Sequence, residues 1–207
     1  IPYLNYQEAI ELSLMDTPVL HPSTIEPLIE SNIQLEIRHL YHANNEEKTI
    51  IGPALSDNQL KAVGCLPNVI SLGFSHDHVD SHQRQLVKIL GDLAQNEIHW
   101  WGLESRFGEA RLRVSQHDIH RAKSVFEGFD IEVNHHFHLG LMSLIGCKES
   151  DIQSINSLFE STEYELTWLN QTSSSIRVLI DGENLSQALH LLHDLIQERN
   201  QTVVKQN

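Results

Sequence analysis

From Asn68 onward the chain runs twice through one order of elements, and this repetition limits the fold more than any other feature of the sequence. Residues 69–74 read as a strand. Leu86, Ile89, Leu90 and Leu93 recur at the spacing of one helical face. Residues 98–104 and 110–114 are two further strands, and Ile119, Ala122, Val125 and Phe126 stripe a second helix. The same βαββα order then returns: a strand over 139–145, a helix striped by Ile152, Ile155, Leu158 and Phe159, strands over 164–169 and 176–180, and a helix striped by Leu185, Ala188, Leu189, Leu192 and Leu195.

Two copies of βαββα predict an α+β chain of tandem ferredoxin-like (βαββαβ) modules. Each copy needs a fourth strand. Residues 130–133 are expected to supply it in the first, while the second has only the weak 202–204 and is expected to borrow a strand from elsewhere in the chain.

The part before the repeat is different. Asn5 and Glu8 have cap spacing at the head of a helix running to about Met15, Pro22 and Thr24 open a second helix, and Ile33, Leu35 and Ile37 alternate as in a half-buried strand. Residues 44–48 form a polar turn. The expected organisation is therefore a small α/β segment over 1–52, a linker over 53–67, and modules over 68–137 and 138–207. A chain that opens at Ile1 on the edge of a helix is expected to be a piece of a longer protein.

Composition excludes some partners. With 28 acidic against 14 basic residues the formal charge is -14, which repels nucleic acid and anionic membranes. No apolar run approaches the roughly 20 residues of a bilayer-crossing helix, and the expected location is the cytoplasm. Cys65 and Cys147 lie far apart in mostly apolar stretches and read as buried, reduced thiols.

The run from Ser75 to His82 nearly spells the HxHxDH pattern of zinc hydrolases, but Ser81 displaces the last histidine by one place and no further ligands follow. No metal site is assigned there. His135, His136 and His138 are read as exposed strand-edge histidines.

The segment Val19-Leu20-His21-Pro22-Ser23-Thr24-Ile25-Glu26-Pro27, followed by Asn32-Ile33 and a strand, resembles the GAKVLHP segment of aspartokinases. Residues 140–146 resemble the strand that opens that family's second ACT module, and 178–184 the turn into its last helix. The resemblance implies the C-terminal end of a kinase domain followed by two regulatory ACT domains. The parent would use ATP and Mg to phosphorylate the side-chain carboxylate of aspartate.

Val19, Leu20, His21 and Pro22 are then a remnant of the nucleotide site, with no catalytic residue beside them, because the family's KFGGT motif is absent from these 207 residues. Asp16-Thr17-Pro18 stands where the family has Gly-Ala-Lys, so a cation is replaced by a ring with no charge and no N–H donor. No cofactor is expected on this segment.

In relatives that bind lysine, the effector carboxylate meets backbone N–H groups at the start of the helix after the first ACT strand, and a Ser-Val-Asp holds the ammonium. The resemblance carries this role to Val79, His82, Arg84, Gln85 and Leu86, and places His99, Trp100 and Trp101 on Ser-Val-Asp. Trp101 thus replaces the acid. The leading expectation is a small-amino-acid sensor that forms a homodimer through its ACT modules and acts on a missing kinase domain. The alternatives are part of a bifunctional enzyme that carries a second activity of the pathway, or a purely structural pair of modules.

Overall fold

A computed structural model of the chain describes residues 1–15, 20–38, 48–55, 59–75, 79–106 and 108–204. In chain order the elements begin with β1 (Tyr3–Asn5), α1 (Tyr6–Ser13), α2 (Pro22–Ser31), β2 (Leu35–Arg38) and β3 (Lys48–Gly52). They continue with β4 (Ala62–Ser75), α3 (Val79–Gln95), β5 (Trp100–Arg106), β6 (Glu109–Ser115), α4 (Ile119–Glu127) and β7 (Val133–Ile145). The last are α5 (Glu149–Glu160), β8 (Thr167–Gln171), β9 (Ser175–Asp181) and α6 (Leu185–Val204).

The chain divides into two compact units. An inserted unit comprises Leu66–Leu141 and Asp181–Glu183; a host unit comprises Ile1–Cys65, Met142–Ile180 and Asn184–Asn207.

In the inserted unit the strand order is β5, β6, β4, β7, the order of a complete ferredoxin-like βαββαβ fold. The sheet buries Ile70, Leu72 and Phe74 of β4 and Ala110, Leu112 and Val114 of β6 against Leu86, Ile89 and Leu93 of α3 and Ile119, Ala122 and Phe126 of α4. Because strand side chains alternate, Gly73 and Ser75 of β4 and Glu109, Arg111 and Arg113 of β6 project from the face opposite the helices.

In the host unit the order is β4, β7, β9, β8, so the first residues of β4 take the fourth-strand position beside a βαββα unit. Its core packs Met142 and Leu144 of β7 and Ile176, Val178 and Ile180 of β9 against Ile155 and Phe159 of α5 and Leu185, Ala188, Leu192 and Ile196 of α6. The host unit also holds the three-stranded sheet β1-β3-β2, in which β1 runs parallel and β2 antiparallel to β3. Leu4, Ile25 and Ile51 bury there with Ala62 and Ile145, so residues 1–52 share a compact unit with the second module rather than standing apart.

Local chemistry explains the helix ends. Asn5 caps α1: its side chain accepts from the Glu8 N–H at 2.9 Å, and the Glu8 carboxylate accepts from the Asn5 N–H at 2.8 Å. Helix α2 starts at Pro22, whose missing N–H costs nothing in the first turn, and stops at Asn32 with φ 51°.

Several boundaries differ from the sequence reading. The tract 53–67, read as a linker, contains the start of β4, which continues through Pro67 and Asn68 with Asn68 at φ 56°. The strands read separately at 130–133 and 139–145 are one strand, β7, in which His135, His136 and His138 are all exposed. His138 has φ 62°, which breaks strict alternation there. Residues 202–204 are not a strand, because α6 continues to Val204. Lys48, read as the end of a turn, begins β3, and the rest of that turn lies outside the described residues.

Candidate functional site

The segment Leu20–Pro22 leads into α2. Leu20 packs against the host-unit core around Ile25, and exposed His21 is the cap of α2, its Nδ1 accepting from the Ser23 N–H at 3.3 Å and lying 2.6 Å from Ser23 Oγ. Pro22 is the first helical residue, and Val19 lies outside the described residues. The only Lys or Arg within 1–38 is Arg38, and Glu36 engages it. The described residues at this turn therefore bring no cation to meet a triphosphate, and no nucleotide step is assigned to them.

The residues carried over from lysine-binding relatives separate into distinct environments. Val79 opens α3. His82 is buried, 2% exposed, with its ring centroid 5.8 Å from that of Phe74. Its Nε2 has no hydrogen-bond partner among the described residues, and neither has the buried Oε1 of half-buried Gln85. Leu86 belongs to the core, whereas Arg84 and His99 are exposed. On β5, Trp100 stands opposite Val114 and packs on the helix-side core, while buried Trp101 stands opposite Arg113 on the other face. Loop residues 76–78 lie outside the described residues.

On the face opposite the helices the inserted unit has a cavity of about 320 Å³, lined by β4, β5, β6 and Asn134 of β7. Its charged lining comprises Glu104, Arg106, Glu109 and Arg111. None of these was singled out from the sequence. Their alternating charges carry no motif, and only the cross-strand register Glu104–Arg111 and Arg106–Glu109 gathers them. Arg113, 3% exposed, donates from Nη1 to the Gly102 carbonyl and lies 2.5 Å from the Glu104 carboxylate.

The host unit contains a second buried polar assembly. The Glu11 carboxylate of α1 accepts from Arg177 of β9 and, at 2.7 Å, from Ser143 Oγ of β7. Burial pushes this carboxyl up, but the hydrogen bonds from Arg177 and Ser143, the Arg177 charge and a bond from Ser175 outweigh it and hold it below its usual 4.5. Nearby, Lys61 Nζ lies 3.0 Å from the Glu8 carboxylate, both side chains being buried. The bonds of Glu11 tie the first helix to β7 and β9, and that of Glu8 ties it to the residue before β4.

No family model matches the chain. Among curated proteins, a bifunctional aspartokinase/homoserine dehydrogenase of Buchnera aphidicola is 25% identical over 218 residues, covering 97% of this chain and 27% of that protein. Among solved structures, E. coli aspartokinase III in complex with aspartate and ADP superposes with TM-score 0.76 at 20% identity, over 94% of this chain and 46% of that one. The regulatory subunit of aspartate kinase from Thermus thermophilus superposes with TM-score 0.54 at 16% identity, over 65% of this chain and 97% of the subunit. The chain thus spans about a quarter of the curated relative and just under half of the solved E. coli kinase. Its sequence is similar to that of a bifunctional aspartokinase along almost its whole length, and its fold is shared with solved aspartate kinases, about two thirds of it with the regulatory subunit of one.

Proposed function

We propose that the chain is the regulatory region of an aspartokinase and has no kinase activity by itself. In this reading residues 1–52 are the end of the kinase domain, and the two ACT units sense a small amino acid and pair two copies of the chain. ATP, Mg and aspartate bind to parts of the parent outside these 207 residues. The observation that carries the reading is the buried joint at Glu11: a helix in the kinase-like segment is held by side chains from β7 and β9 of an ACT-type sheet. An effector that binds two states of that sheet with different affinity would shift the helix with it.

The test is made on the purified chain. Aspartate-dependent ADP release is expected at the level of a no-protein blank, light scattering is expected to give twice 23.6 kDa, and an amino acid is expected to raise the melting temperature. Clear ADP release would refute the assignment of catalysis to missing segments. A monomeric mass would refute pairing, and a melting temperature unmoved by any amino acid would leave a purely structural pair. A second reading, that the parent is bifunctional, is favoured by the curated relative, which joins aspartokinase to homoserine dehydrogenase. A homoserine dehydrogenase assay on the full-length parent tests it.

A further inference from the structure

The cavity of the inserted unit has an unbalanced set of free charges. Glu104 is engaged by Arg113, which leaves Arg106, Arg111 and Glu109, all exposed, without an ion-pair or hydrogen-bond partner among the described residues. The register sets Arg106 opposite Glu109, yet the pair is not closed. Such exposed cross-strand pairs contribute little, so a ligand competes with them easily.

The floor is Gly73. A Cβ built there would lie 3.7 Å from Arg111 Nε and 3.9 Å from the Asn134 carbonyl oxygen, so the guanidinium lies close over a position with no side chain. Ser75 adds to the polar wall. A volume near 320 Å³ suits a small metabolite.

Two free guanidiniums and one free carboxylate are the complement of two carboxylates and one ammonium. We propose that this cavity binds a small amino dicarboxylic acid, with one carboxylate on Arg106, the other on Arg111, and the ammonium on Glu109. The proposal rests on the amino-acid-sensing reading above, but assigns the ligand to the sheet face instead of the loop and helix start implied by the resemblance. Planar guanidinium forks match carboxylates in two-point contact, and a basic amino acid would bring a second ammonium against the same arginines.

The experiment is calorimetry on the full chain with L-aspartate, L-glutamate, succinate and L-lysine, repeated on Arg106→Gln, Arg111→Gln, Glu109→Gln and Gly73→Val. An amino dicarboxylate is expected to bind more tightly than lysine. Each arginine substitution should weaken it by about ten- to a hundred-fold, the loss of one charge-assisted pair. Glu109→Gln should weaken the amino dicarboxylates and spare succinate, and Gly73→Val should abolish binding of both. Because the three charged positions are exposed, unchanged melting temperatures are expected for their variants and verify that they fold.

Binding of aspartate and glutamate unaffected by both arginine substitutions would overturn the assignment. So would lysine binding as tightly as either. If neither dicarboxylate binds while another amino acid raises the melting temperature, this site falls and the sensing reading stands. If no amino acid binds at all, both fall.

Discussion

Arg177 grips Glu11 with two parallel hydrogen bonds, 2.6 Å from Nε to Oε1 and 2.7 Å from Nη2 to Oε2, across 166 residues of chain. Both side chains are largely shielded from water, so the pair is held by geometry and by the extra donor from Ser143.

Removing one member leaves the other buried and unpaired. Glu11→Ala is expected to cost about 3–5 kcal/mol in urea unfolding at pH 7, and Glu11→Gln less, because the amide oxygen still accepts. The pH dependence follows from the lowered carboxyl. Its stabilisation is fully present above the unfolded value of 4.5 and is lost as pH falls through the depressed folded value. The stability gap between the native chain and Glu11→Gln should therefore narrow in acid; a gap at pH 3 equal to that at pH 7 would show that the charge contributes nothing.

Cys147 is 3% exposed in the host-unit core, and burial, reinforced by the Asp151 charge against the opposing Arg199, pushes its thiol up to about 12. Only the thiolate alkylates readily, and at pH 8 roughly one molecule in ten thousand carries it. Iodoacetamide followed by mass spectrometry is expected to leave Cys147 unmodified in the folded chain and to modify it after urea unfolding. Rapid native labelling would contradict its placement.

Two glycines should respond in opposite senses. Gly146 has φ 76°, and a Cβ there would lie 2.2 Å from the Gln59 carbonyl oxygen, a backbone atom that cannot swing aside. Gly146→Ala is expected to destabilise by more than about 2 kcal/mol from strain and clash combined. Gly91, within α3, has nothing within 4 Å of its added Cβ, so Gly91→Ala should stabilise by about 0.5–1 kcal/mol. Thermal unfolding of the two variants decides; equal effects would refute the local geometry.

The helices were legible because their core stripes obey one period. Leu86, Ile89 and Leu93 lie in the core as their spacing demands, and the Asn5–Glu8 cap forms as the sequence suggests. The long strands were not. Pro67-Asn68 has turn chemistry, and three histidines interrupt the apolar alternation of β7, so each strand looked broken where the backbone in fact continues through one left-handed residue. The cavity was hidden for another reason. Glu104, Arg106, Glu109 and Arg111 become neighbours only through a register that includes an irregularity between Trp101 and Glu104, with Gly102 at φ 57° inside it. Sequence spacing carries no signal of that slip.

The two long strands also set an order of events on the ribosome. The host unit takes its edge from the start of β4 and its central strand from the end of β7, so nearly the whole inserted unit must be synthesised between them. Its β4, α3, β5, β6, α4 and first half of β7 have all emerged before α5, β8, β9 and α6 exist to fill the host core. The residues of one hydrophobic core have therefore all been synthesised while Leu60, Met142 and Leu144 still lack their partners Ile176, Leu185 and Leu192. If β4 pairs with β7 at that stage, the long loop is closed once, and the late-arriving segments add to a strand pair already in place, with no further long-range search for that pairing.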